Sequence, residues 1–246
     1  MFHWASNLYV RLFLSILKRN RISTLIVNIF YTRVPNKISD SLYRELISKL
    51  PIELKLKNYK YLRWQDKLSH LFGKLLLINA VKILQYQNCS LSELDYTLYG
   101  RPFFFNNKKI DFNISHSGQY VLCSIAQEIQ TGIDVEKIRE IKFEDYISVM
   151  SEQEWELINS SANPLTMFYT FWTKKESSIK ADGRGLSINL KEVVVAEDSV
   201  FIGNSKWHIK ELKIDHAHLA FVATNLQDFS IKTTFLPYCM LNFHEE

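Results

Sequence analysis

The sequence is short of chain-breaking residues, with five prolines and seven glycines in 246 positions. That excludes a linker-dominated or disordered chain and a collagen-like repeat. It has only three cysteines, Cys89, Cys123 and Cys239, an odd number with no CxxC spacing. A disulfide framework and a cysteine zinc site are therefore excluded, and the thiols are expected to be reduced and mostly buried, as in a cytosolic protein. No apolar run approaches the roughly 20 residues that span a bilayer. Acid is absent from one place in particular. Residues 1–22 carry Arg11, Lys18, Arg19 and Arg21 and no Asp or Glu, so the rest of the chain balances at 26 bases against 26 acids and accounts for none of the net +4. A general nucleic-acid-binding surface does not follow from such a balance.

What is present is a globular composition, 47% hydrophobic and 23% charged, sized for one large domain or two small lobes. Residues 1–22 lack a basic start and a small-residue cleavage site, so they do not read as a signal peptide. On a helix, Asn7, Arg11, Ser15 and Lys18 share one face and Leu8, Leu12 and Ile16 another. The preferred reading is a basic amphipathic extension packed on the domain that follows; the alternative is a weak membrane-surface or partner contact.

Further on, 24–34 reads as a strand, 38–50 as a helix stopped by Pro51, and 68–87 as a long apolar helix. After a Gly-Arg-Pro turn at 100–102 the chain becomes extended, with strands at 121–128 and 131–138. Two helices follow, 151–163 and 164–183, the second opening on proline. The segments KEVVVAED, WHIKELKID, HLAFVATN and FSIKTTFL then read as strands. The order implies two α+β halves, 23–128 and 129–246, behind the 1–22 extension.

Three segments carry chemistry. FNISHSG (112–118) reads as strand residues running into a small polar turn, Ser115-His116-Ser117-Gly118, able to offer donors to an anion. Alone, it reads equally as a turn with a structural histidine. In TGIDVEKI (131–138), Asp134 and Glu136 point to one face of a strand and Ile133 and Val135 to the other. Two such carboxylates repel unless a cation sits between them, and a hard divalent ion suits oxygen ligands; solvated acids on an exposed edge are the plain alternative. In FWTKKESSIKADGRGL (171–186), Glu176 and Lys180 form an i,i+4 pair. On a surface such a pair contributes only about 0.3–0.5 kcal/mol, whereas in a site Glu176 is a third carboxylate and Lys175 and Lys180 are placed for phosphate oxygens.

In order, NISHS, GIDVE and WTxKESxxK resemble the 4′-phosphopantetheinyl transferase superfamily in its single-chain, Sfp-like form. YGRP (99–102) is similar to that family's Tyr-Gly-Lys-Pro turn, with Arg101 for lysine. The resemblance implies an α+β pseudo-dimer, each half a long helix on a small antiparallel sheet, with the site in the cleft between them. It implies transfer of the phosphopantetheine arm of coenzyme A to a serine of an apo acyl or peptidyl carrier protein, releasing 3′,5′-ADP. It further implies Mg²⁺, or Mn²⁺ in its place, on Asp134, Glu136 and Glu176, and phosphate contacts from Lys180, Lys175, Ser115 and His116. Arg101 would stand near the nucleotide. Glu176 is the best acceptor for the serine proton, as ligand, base or both, with Lys180 assisting.

The family's Asp-x-x-Arg pattern before the long helix is matched only in part. Arg63, Trp64, Asp66 and Lys67 are present, but Ser69 stands where the arginine would be, followed by His70. Arg63 and Lys67 are the expected 3′-phosphate contacts. One chain holding both halves implies that a monomer can be active, and the family together with the reduced cysteines implies a bacterial cytoplasm. The competing function is a non-catalytic relative that binds coenzyme A or a carrier without turnover.

Overall fold

The computed structural model describes residues 25–241; the expectations for residues 1–22 lie outside them. Among the described residues are eleven strands and five α-helices, and the two main sheets and the helices on them form four layers, helix, sheet, sheet, helix. The first sheet has the order β11 (Phe229–Phe235), β1 (Leu25–Arg33), β5 (Tyr120–Gln127), β4 (Ile110–Ser117). The second runs β6 (Thr131–Lys137), β10 (His218–Thr224), β9 (Ser205–Glu211), β8 (Ser199–Ile202), β7 (Val194–Val195). A short ribbon pairs β2 (Leu94–Tyr96) with β3 (Pro102–Phe104).

The strand β5 explains the layering. In VLCSIA, Val121, Cys123 and Ile125 pack against Leu68, Leu71, Phe72 and Leu75 of the long helix α3 (Trp64–Ile83). Leu122 and Ala126, one pleat over, pack against Ile133, Val135, Ala220 and Val222 of the second sheet. A strand covered on both faces reads as an unbroken apolar run. The outer face of the second sheet is closed by α5 (Pro164–Asp182), whose Ile179 and Ala181 meet Val200, Trp207 and Ile209. Helix α4 (Glu152–Ser160) precedes it, and α1 (Asp40–Ser48) and α2 (Ile52–Tyr59) precede α3.

Three expectations change. FSIKTTF joins the first sheet: β11 pairs in parallel with β1, Leu25 opposite Phe229, so the last strand crosses back to the first half. Helix α2 begins directly after Pro51, which ends one helix and starts the next because its missing N–H costs nothing at a helix start. Of the cysteines only Cys123 is buried; Cys89 is half-buried and Cys239 exposed, all three free.

Gly132 sets the position of α5. A Cβ there would lie 2.1 Å from the Ser177 carbonyl oxygen and 2.3 Å from the Ala181 amide nitrogen. The helix backbone therefore lies directly on β6. Its ends are fixed locally: Asn163 Oδ1 accepts the Thr166 N–H at 3.0 Å, and Gly183 closes the last turn at φ 91°.

Candidate active site

The expected polar turn is not where Ser115, His116 and Ser117 sit. All three belong to β4, and the turn is confined to Gly118, at φ 58°, and Gln119. Strand alternation therefore separates them. Ser115 and Ser117 face β6, and His116 points to the opposite side and is exposed.

The two sheets meet along the edges of β4 and β6, joined by side chains. Asp111 Oδ2 accepts the Thr131 N–H at 2.7 Å, Asn113 Oδ1 that of Ile133 at 3.1 Å, Ser115 Oγ that of Val135 at 3.3 Å, and Ser117 Oγ that of Lys137 at 3.0 Å. Side-chain acceptors at every second residue replace a missing backbone neighbour, so the unpaired amides of an edge strand are satisfied. The alternation Asp111, Asn113, Ser115, Ser117 between Ile110, Phe112 and Ile114 was the sequence signal for this seam.

The candidate site lies along that seam. Gly132, Asp134 and Glu136 share one face of β6, and the close passage of α5 at Gly132 brings Glu176 and Lys180 alongside. Asp134 is 2% exposed, so solvated acids on an open edge are excluded. Its Oδ1 accepts from Lys180 Nζ at 2.5 Å and from Ser115 Oγ at 2.9 Å, and Lys180 also donates to Ser115 Oγ at 3.2 Å. Glu136 accepts from Ser117 Oγ at 2.9 Å on one oxygen and from Trp172 Nε1 at 3.2 Å on the other. The ring of Trp172 is stacked on Phe168.

Charge in this cleft is tightly coupled. Burial, with Asp134 and Glu136 repelling it, pushes Glu176 up to about 7 against the pull of Lys180. Burial and Asp134 also raise Glu136, while the Ser117 and Trp172 hydrogen bonds hold it down. Burial would lower Lys180, but Asp134 and Glu176 outweigh it and keep the amine above its ordinary range.

Ser115 is thereby reassigned. Its hydroxyl is buried, gives its proton to Asp134 and accepts from Val135 and Lys180, which leaves it no capacity for a phosphate. Lys175 is also corrected. It points away from Glu176 and is fully buried, with Nζ donating to Glu154 Oε2 at 2.6 Å, to the Leu190 carbonyl at 2.8 Å and to the Val149 carbonyl at 3.1 Å. Adjacent helix positions face different sides, and all three ammonium donors are engaged. Arg101 is the third correction. Its guanidinium donates to the carbonyls of Lys180 and Ala181 at the end of α5, to Asp111 Oδ2 at 2.6 Å and to the Thr131 carbonyl at 2.9 Å. It therefore ties α5 to the seam instead of reaching for a nucleotide. A cavity of about 450 Å³ opens beside it, bounded by Tyr99, Gln130, Gly183 and Arg184.

Two members of a second basic group, Lys57 and Lys74, carry no signal in the sequence. On the far side of His116, His70 Nδ1 meets Asn58 Nδ2 at 3.0 Å while its Nε2 is buried without a partner. Burial, Lys74, Lys57 and His116 together lower His70 to about 4, and burial and Lys57 lower Lys74 to about 8. Asp66, in the first turn of α3, acts on His116. Arg63, at the start of that helix, is exposed and stands 4.0 Å from Asp66; Lys67 offers its carbonyl to Asn58 Nδ2.

Among the described residues no three His, Cys, Asp or Glu side chains are set to hold a metal between them. The donor set nonetheless fits a hard cation. Asp134 Oδ2 is buried without a hydrogen-bond partner, and burial, with Asp134 and Glu136 adding to it, pushes Glu176 up to about 7, so its charge calls for a cation beside it. An all-oxygen acid cluster with an adjacent lysine, where the two sheets meet, suits a polyanionic substrate that brings a divalent ion with it.

Comparison with known proteins agrees with this geometry. Residues 130–232 match the 4′-phosphopantetheinyl transferase superfamily model and residues 37–128 that of the 4′-phosphopantetheinyl transferase N-terminal region. The chain is 32% identical over 165 residues to the 4′-phosphopantetheinyl transferase gsp of Aneurinibacillus migulanus, covering 66% of this chain and 68% of that protein. It is 31% identical over 173 residues to the 4′-phosphopantetheinyl transferase Sfp of Bacillus subtilis, covering 66% and 76%. It is 29% identical over 193 residues to the human L-aminoadipate-semialdehyde dehydrogenase-phosphopantetheinyl transferase, covering 62% of each. With its seam of acids and lysine where the motifs place them, the chain belongs to the 4′-phosphopantetheinyl transferase superfamily, in its Sfp-like form.

Proposed function

We propose that the cleft along the β4–β6 seam moves the 4′-phosphopantetheine arm of coenzyme A onto a serine of an apo acyl or peptidyl carrier protein. The observation that carries this is the buried Asp134, held by Lys180 at 2.5 Å with one oxygen unpartnered, beside Glu136 and Glu176. Asp134, Glu136 and Glu176 would hold Mg²⁺, with Mn²⁺ able to replace it; when bound, the ion supplies positive charge against the pyrophosphate.

The chain's own groups do the rest. The carrier serine oxygen forms a bond to the β-phosphorus of the pyrophosphate, and the bond from that phosphorus to the bridging oxygen breaks, releasing 3′,5′-ADP. Glu176, at about 7, is poised to take the serine proton at working pH. Lys180 is cationic and turns from Asp134 toward phosphate oxygens as charge grows on them. Lys57, Lys74 and Lys67 with Arg63 form a cationic wall suited to the second phosphate of coenzyme A, and His116 and His70, both held below the usual imidazole range by burial, stand among them as neutral groups. One chain contributes both sides of the seam, which supports a working monomer, divided near 128–129 with β11 returning to the first sheet. Among the described residues no helix is long and apolar enough to cross a membrane.

The test is the intact mass of an apo carrier protein after incubation with the chain, coenzyme A and Mg²⁺. The expected result is a gain of one phosphopantetheine arm, absent with a chelator and absent with Asp134→Ala or Glu176→Ala. Full transfer by either variant would overturn the acid-site assignment. No gain with any of several carriers, coenzyme A being bound, would make the chain a non-catalytic relative.

A further inference from the structure

The two acids of β6 are held by the same device. Each β4 serine accepts the N–H of one β6 residue and gives its single proton to the carboxylate of the residue before it: Ser115 takes Val135 and serves Asp134, and Ser117 takes Lys137 and serves Glu136. Because the backbone amide claims a lone pair, the hydroxyl rotor has one direction left for its proton. Glu136 is the longer of the two acids, and its second donor, the Trp172 indole, takes its other oxygen, whereas both donors of Asp134, Ser115 and Lys180, share Oδ1. That indole is itself fixed between Phe168, stacked at 6.3 Å, and Tyr146, edge-on at 5.8 Å.

We propose that Ser117 and Trp172 are positioning residues that fix the Glu136 carboxylate, one donor per oxygen, so that it meets the cation in a preset orientation. The inference rests on the assignment of Glu136 as a cation ligand. Outer donors of this kind set how well a carboxylate binds its ion, and their loss commonly weakens metal binding about 10–100-fold. Ser117 is the informative position of the two serines, since Ser115 also touches Lys180 and its loss would disturb two groups at once.

The experiment uses the full chain with coenzyme A and no carrier, so that nothing turns over, and measures Mn²⁺ affinity by electron paramagnetic resonance. Transfer kinetics as a function of Mg²⁺ and thermal unfolding accompany it. Ser117→Ala and Trp172→Phe are each expected to weaken Mn²⁺ binding about tenfold and to raise the half-saturating Mg²⁺ by a similar factor. The KM for the carrier should not move, and Ser117→Thr, which keeps the hydroxyl, should restore Mn²⁺ affinity. If Ser117→Ala fails to fold, Trp172→Phe carries the test, since phenylalanine keeps the ring in its stack. Wild-type Mn²⁺ affinity in both variants overturns the inference and leaves the transferase reading standing. Absence of Mn²⁺ binding by the wild-type chain overturns the cation assignment itself.

Discussion

Gly132→Ala is the most demanding test of how the site is built, because one methyl group should damage turnover more than stability. The added Cβ would sit 2.1 Å from the Ser177 oxygen and 2.3 Å from the Ala181 nitrogen, both backbone atoms of α5. Side-chain rotation cannot relieve that contact. Reaching an ordinary separation requires the helix to move by about 1 Å, and overpacking of this size costs about 1–3 kcal/mol. For a chain of this length that lowers Tm by about 2–4 °C per kcal/mol. The displaced helix carries Glu176 and Lys180, whose ammonium lies 2.5 Å from Asp134. A misplacement of about 1 Å in a reacting constellation costs on the order of 100-fold in rate. The assay pairs kcat for carrier modification with thermal unfolding. An alanine variant with wild-type kcat would refute the argument that the glycine exists to bring α5 onto the acids.

Other consequences follow from the same contacts. Glu154→Gln should destabilise the fold by about 3–5 kcal/mol in urea, because it leaves the buried Lys175 ammonium without its counter-charge; Glu154→Gln with Lys175→Met should recover part of that. Arg101→Lys should lower Tm with little change in the KM for coenzyme A, since lysine cannot reproduce the fork across α5, Asp111 and Thr131; a large KM effect with unchanged Tm would return Arg101 to the nucleotide. Glu176 has its folded pKa raised to about 7 from 4.5, so its ionisation opposes folding. That penalty is absent below pH about 4.5, grows as pH rises towards 7 and is fully present above it. Glu176→Gln should therefore unfold at a higher temperature than the wild type at pH 8, lose that advantage at pH 4, and transfer no phosphopantetheine at either; equal Tm values at pH 8 would show the glutamate to be unstrained.

The sequence determined which polar residues share a face along β6 and α5. Period-2 alternation put Asp134 and Glu136 on one face and Ile133 and Val135 on the other, and helical spacing paired Glu176 with Lys180. These are local properties, fixed by backbone geometry within a few residues. The spaced motifs also placed the chain in its family. Local pattern could not say what each side chain would meet. Lys175 and Glu176 are neighbours in a lysine-rich helix, yet one enters the core against Glu154 and the other faces the acids, because α5 is rolled by its contact with Gly132. Arg101 looked like a substrate contact and caps a helix eighty residues away; Ser115 looked like a phosphate donor and is consumed by the seam. FSIKTTF reads as a strand from its own residues, but only the open edge of β1 decided that it would pair there, in parallel and in the other half. Long-range partners are chosen by which edges and donors the assembled layers leave unsatisfied, and no stretch of sequence contains that information by itself.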